Sequence, residues 1–315
     1  MTRRGLLLLA VMAVVWGIPY FFIRVAVEAV SPAVVVFGRT LVGATVLLPL
    51  ALLGSDWRPV IARWRWVVAF AVVEIAIPWV LLGWAEQRIT SSLAGLLVAA
   101  VPLLATITAL ASGGRDRFSG VGWLGLAVGL AGVAAIVGVN VGASNVAALA
   151  AMFVVACGYA IGPQIMARRL GGISTVAVMG FCLTFCAVLY APIAFVQMPA
   201  AMPSANVLAS IAILGLVCTA SAFLIFWRLI DEIGPVRATV VTYLNPAVAA
   251  ILGVTVLNEA FTAVMGVGFM LVIAGSLLAT LPAGRGAAVS AEGPAAANVR
   301  PEWTEVATDA EAELR

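Results

Sequence analysis

Ten apolar runs, each about 20 residues long and separated by short polar turns, limit this chain more than any other feature. They span 5–27, 31–53, 65–85, 90–112, 119–139, 145–167, 173–196, 206–229, 235–257 and 262–281. At 1.5 Å per residue, such a run crosses a hydrocarbon core of about 30 Å as a helix. A span in lipid must satisfy its own backbone polar groups, which a helix does. The expected fold class is therefore an all-α membrane protein of ten transmembrane helices. Composition agrees: 64% of the residues are hydrophobic, and a soluble domain of 315 residues has too little interior for them. Arg3-Arg4 precede the first run, but that run continues to Val27 with no A-x-A site after it. It reads as a retained first helix, not a cleaved signal.

The second half repeats the first. At a spacing of 144 residues, Ile233, Ala238, Pro246, Ala249, Ile251 and Gly266 fall on Ile89, Ala94, Pro102, Ala105, Ile107 and Gly122. At 143, Ile161, Ser174 and Pro192 fall on Ile18, Ser31 and Pro49. Proline and glycine matches carry most weight, because alanine and isoleucine recur by chance in so apolar a chain. Two copies of a unit of about 140 residues fit the construction of many transporters. The expected boundaries are 5–139 for the first five-helix repeat and 145–282 for the second, with a disordered tail at 283–315. That tail is rich in alanine, glycine and acid.

Arginine placement sets the expected orientation. With the N-terminus in the cytoplasm, Arg3, Arg4, Arg58, Arg63, Arg65, Arg115, Arg117, Arg168, Arg169, Arg228, Arg237 and Arg285 lie inside, and Arg24 and Arg88 outside. The positive-inside rule then gives an N-in, C-in protein. Five spans per half make the two repeats inverted, a geometry suited to alternating access around a central site.

The second half carries GPVRA, TYLNPAVAAILG, LNEAF and GVGFMLVIAG in order, and the first span carries VVWGIPYFFIRVAV. On these residues the chain resembles the EamA-type carriers of the drug/metabolite transporter superfamily, over about 5–282. That family more often has Glu where this chain has Arg115. The resemblance implies a multi-pass protein of the cell membrane that exports small metabolites, such as amino acids or related amphiphiles.

Charges at membrane depth cost about 2.5–3.5 kcal/mol each by insertion scales, so they are candidates for function. Arg39 in the second span and Glu74 in the third lie at depths about one helical turn apart. Either they neutralise each other as a structural pair, or Glu74 takes a proton or a substrate amine while Arg39 takes a carboxylate. The second role requires the two to separate in at least one conformation. Arg24 is expected to snorkel to the interface. Arg228, Asp231 and Glu232 are expected to form a solvated gate or anchor. Pro19, Pro78, Pro102 and Pro246 are candidate bends beside a cavity, with Pro102 and Pro246 paired by the repeat. Trp16 and Tyr159 occupy matching places, Gln164 lies further along, and Tyr243 and Asn245 belong to a polar stripe around Pro246. Each could contact substrate or only pack. Gly125 and Gly129, spaced for close helix packing, with the last span by analogy, mark a candidate homodimer face.

All seventeen basic residues are arginine, and there is no histidine. A Walker lysine is therefore absent, as are the commonest metal ligand and proton shuttle. Four cysteines, at 157, 182, 186 and 218, all fall inside apolar runs and read as packing residues. No metal, cofactor, catalytic residue or nucleic-acid partner is expected. The expected function is secondary active transport of a small molecule across the bilayer by alternating access, with protons as the candidate coupling ion. A membrane-embedded enzyme, and a sensor or scaffold without transport, are the alternatives.

Overall fold

The structure is a computed structural model that describes residues 2–54, 56–111, 120–138, 145–234 and 238–280. Residues Met1–Ala283 form one compact unit. Arg115, Arg117, Arg237, Arg285 and the expected tail lie outside the described residues.

The described residues are helical, without strands. Among the described residues, nine helices are long and apolar enough to cross a membrane, and one apolar helix is shorter. We number them α1 (Arg3–Val27), α2 (Pro32–Gly54), α3 (Trp64–Glu86), α4 (Ser91–Val98 continued by Val101–Ala111), α5 (Gly120–Gly138), α6 (Val146–Arg169), α7 (Thr175–Val196), α8 (Ala205–Ile233), α9 (Val241–Thr255) and α10 (Ala263–Thr280). Side-chain oxygens start several of them. Thr2, Thr90 and Ser174 accept from the amides of Gly5, Leu93 and Ala177, which the first helical turn leaves without partners.

Helix packing follows the repeat. α2 lies on α7, α4 on α9 and α5 on α10, each helix against its own counterpart. Two further sets of contacts match: α1 on α8 answers α6 on α3, and α1 on α9 answers α6 on α4. Exchanging the two halves leaves this pattern unchanged.

The glycine stripe of α5 has a use that differs from the expected one. A Cβ on Gly125 or Gly132 would strike the backbone of α10 at Gly275 or Gly268, and one on Gly275 would strike Gly129. Two backbones in contact bury more dispersion surface than side chains could there. The Gly125-x-x-x-Gly129 face is therefore filled by α10 of the same chain, and is not free for a second copy.

The prolines do not all bend their helices as expected. Pro19 follows a break in α1 after Gly17, and Pro78 opens the helix after an irregular segment of α3. Pro102 follows a break in α4 at Ala99–Ala100. Its counterpart Pro246 sits inside unbroken helix, and the break in that region falls earlier, at Thr239–Val240. Pro246 has no amide for the carbonyl of Thr242, four residues back. The side-chain amide of Asn245 turns to that carbonyl at 2.9 Å and to Val241 O at 3.2 Å, which keeps the helix whole. At the matching place, before Pro102, stands Val101, which has no such amide.

Candidate functional site

Two helices open from α to π geometry in the middle of the bundle. The turns are Ala71–Ala76 in α3 and Leu216–Ser221 in α8, 145 residues apart, within one or two residues of the repeat spacing. A π turn inserts one extra residue and frees a carbonyl, and such turns concentrate at functional places. Here they set Glu74 and Thr219 at corresponding positions.

Arg39 reaches the second of these turns. Its Nε donates to Thr219 Oγ1 at 2.9 Å, and Thr219 in turn donates to Leu214 O at 2.8 Å. The guanidinium lies flat over the Trp79 ring, 3.6 Å from its centre. Arg39 is only 7% exposed, yet among the described residues no acceptor hydrogen-bonds Nη1 or Nη2. Gly43 and Gly215 make room on either side: a Cβ on Gly215 would meet Val42 and the Arg39 carbonyl, and one on Gly43 would meet Thr219.

Glu74 stands in the first turn without a partner. Its Oε2 is sealed from solvent and makes no hydrogen bond. Gly158 and Gly162 of α6 form its seat, since a Cβ on Gly162 would strike the Glu74 carboxylate and one on Gly158 would strike Val73 O and Pro78. The structural pair that is one of the two readings of Arg39 and Glu74 is not formed among the described residues: Arg39 is engaged by Thr219 of α8 and by the ring of Trp79, which follows Glu74 on α3. Similar depth along two helix axes does not fix which way each side chain turns around its axis. Tyr159 is within electrostatic reach of both and close to the Trp79 indole. Tyr20 of α1 lies near the same group, within reach of Tyr159 and Arg39.

The other candidates spread outward from this centre. Trp16 packs on Phe226 and Phe223 of α8, with ring centres 4.7 and 6.4 Å away. Gln164 donates to Thr108 Oγ1 at 2.7 Å and to Ala160 O, and lines a cleft of about 460 Å³ with Trp66, Arg168 and Arg169. Tyr243 of α9 is half-buried, and lies near Thr280 of α10. Asn245 serves its own helix, as described above. Arg24 does not snorkel freely. It donates to the Glu86 backbone carbonyl and pairs with Glu28 at 3.3 Å. Glu232 accepts from the Thr2 hydroxyl at 2.6 Å and pairs with Arg4 at 3.8 Å, so it anchors the N-terminus.

Reading single residues missed Thr219, Trp79, Tyr20 and Glu86. At the repeat spacing of 143 or 144, Glu74 falls on Val217 or Cys218, so its match with Thr219 shows only in the two π turns, where each is the fourth residue. The four cysteines are unbridged, and among the described residues no group of three or more His, Cys, Asp or Glu converges on a metal position.

The pattern of the EamA-like transporter family matches the chain twice, at residues 3–138 and 146–281. The chain is 25% identical over 248 residues to "Uncharacterized inner membrane transporter YedA" of Escherichia coli strain K12, which spans 76% of this chain and 78% of the relative. The YedA of Escherichia coli O157:H7 gives the same figures. A solved structure described only as "Crystal structure of protein" superposes with a TM-score of 0.64 at 22% identity, over 90% of this chain and 100% of the other, a likeness of fold. Two matched repeats, apolar helices of membrane-crossing length and transporter relatives together make this chain a multi-pass cell-membrane protein of the EamA-like transporter family, within the drug/metabolite transporter superfamily.

Proposed function

We propose that the chain is a secondary active transporter that exports small zwitterionic amphiphiles, amino acids or their relatives, by alternating access. Arg39 carries this reading. A guanidinium is a planar fork built for a carboxylate. This one is buried, held at Nε by Thr219 and from below by Trp79, with both terminal nitrogens unclaimed by protein. A carboxylate arriving in that plane completes it. Glu74 offers the complementary acceptor for an amine or a proton, and Tyr159 is within reach of both ends. Aromatic surface from Trp79 and Tyr20 suits the apolar part of such a molecule.

The matched helix contacts and the arginine-rich loops support the inverted, N-in, C-in arrangement. No residues for ATP hydrolysis are seen in the sequence, so an ion or substrate gradient drives the cycle, and a proton gradient is the candidate.

The test is flux in proteoliposomes of a panel of labelled amino acids and cationic drugs, with and without an imposed pH gradient. For wild type, gradient-driven flux of a zwitterion is expected. Arg39→Gln abolishes it, and Glu74→Gln removes its dependence on the gradient. Preference for a cationic drug lacking a carboxylate, with Arg39→Gln still active, overturns the assignment.

A further inference from the structure

Where α3 turns into α4 and α9 into α10, at the end away from Arg63 and Arg169, two carboxylates meet in opposite surroundings. Glu259 sits on the start of α4. Its Oε1 accepts from Ser91 N at 2.7 Å, and its Oε2 accepts from Ser92 N at 2.8 Å and from the Ser92 hydroxyl. These are donors that a helix start leaves unpaired, at the positive end of the helix dipole. Gly253 allows the approach, since a Cβ there would strike both Ser92 Oγ and the Glu259 carboxylate. These three bonds latch the α9–α10 turn onto α4.

Glu86 has the reverse setting. It is the last residue of α3, at the negative end of that helix. It is 0% exposed, and neither of its side-chain oxygens has a hydrogen-bond partner. The buried Ser91 hydroxyl beside the latch is unpartnered as well. Glu259 faces Glu86 within electrostatic reach, and so do Arg24 and Tyr20 of α1 and Tyr159 of α6. Arg24 spends its guanidinium on the Glu86 backbone carbonyl and on Glu28, not on the Glu86 carboxyl. Gln87 and Arg88 turn to the carbonyls of Val27 and Trp84. Three unpartnered oxygens fall short of the six or so that a hard cation takes. What this group lacks is a single donor, and a proton supplies one.

We propose that Glu86 is a proton-binding site, distinct from Glu74, that holds its proton while Glu259 is latched on α4. Two neighbouring carboxylates do not both ionise easily, and their unlike settings, Glu259 hydrogen-bonded and Glu86 buried without a partner, assign the proton to Glu86. Losing it to the water at this end converts Glu86 from a neutral carboxyl to a carboxylate beside Glu259. Repulsion then releases Glu259 from Ser91 and Ser92 and frees this end to open. The consequence for transport rests on the function proposed above, while proton binding itself does not.

Two measurements on the full chain in lipid nanodiscs, without substrate, test this. Infrared difference spectra between acidic and alkaline buffer read the carbonyl band of a protonated carboxyl. One component is expected to vanish in Glu86→Gln and to persist in Glu74→Gln. Hydrogen exchange of the Ser91 and Ser92 amides, corrected for intrinsic rates, reads the latch. In wild type, protection is expected to fall by about tenfold per pH unit above the transition, the slope for one linked proton. Glu86→Gln keeps it at every pH. An unchanged infrared spectrum in Glu86→Gln, or pH-independent protection in wild type, overturns the proposal. The wild-type exchange arm stands even where the variant fails to fold. Because no substrate is present, failure of the amino acid panel and failure of this site are told apart.

Discussion

The π turns of α3 and α8 are one backbone device carrying two chemistries. Both are six residues long and stand 145 residues apart, each packed on the opposite repeat. In α8 the turn presents Thr219, a neutral hydroxyl that binds Arg39. In α3 it presents Glu74, a carboxylate without a partner, seated on Gly158 and Gly162. Duplication supplies a symmetric frame, and divergence of a few side chains gives it a charged, polar axis. Had the two turns carried the opposite residues, Arg39 would face a carboxylate and the site would neutralise itself.

That contrast can be broken directly. Thr219→Glu sets a carboxylate against Arg39 Nε. The fold is expected to survive, because the new charge arrives beside an existing partner. Transport of a carboxylate substrate is expected to fall by at least about a hundredfold, since two charge-assisted hydrogen bonds of about 1.5–3 kcal/mol each are lost to an internal competitor. Proteoliposome flux checks it. Wild-type flux in Thr219→Glu would show that the guanidinium is not the substrate's anchor.

The other turn is sharpened by its seat. Gly162→Ala pushes a methyl group into the Glu74 carboxylate, and overpacking of this kind costs about 1–3 kcal/mol. In a Glu74→Ala background the same change is expected to cost little. Thermal unfolding of the four proteins of this cycle in detergent measures the coupling. Equal shifts in both backgrounds would mean that Gly162 serves the α3–α6 backbone contact and not Glu74.

Most of the fold was legible in the sequence, and the reason is the solvent. Lipid demands runs of apolar residues as long as the bilayer is thick, so the span limits follow from hydropathy: 31–53 was expected for α2 and Pro32–Gly54 is found. The π turns were not legible, because a π turn leaves the same apolar residues in nearly the same places as an α turn. Nor was the separation of Arg39 from Glu74, since counting residues from a helix end gives depth but not the direction a side chain takes around the axis. Glu86 escaped notice because it adjoins the polar turn at Gln87-Arg88, where a carboxylate looks solvated. Only its burial in the fold, at 0% exposure, shows that water does not reach it.

The smallest expected effect concerns a second unequal pair, Pro102 and Pro246. The prolines are equivalent, yet helix is broken before Pro102 and unbroken through Pro246. The difference is the preceding residue. Asn245 covers the carbonyl that Pro246 leaves bare, and Val101 cannot. Asn245→Leu is therefore expected to cost about 1 kcal/mol, the net value of one hydrogen bond. It should also open α9 where the first repeat is already open, so that amides of residues 243–247 exchange faster while those around Gly253 do not. Val101→Asn is the converse, and should slow exchange at Ala99 and Ala100 by giving the Val98 carbonyl a donor. If both variants exchange as wild type does, the helix through Pro246 is held by its neighbours, Gly17 of α1 and Gly95 of α4, which press against Asn245 O and Ala249, and not by its own asparagine.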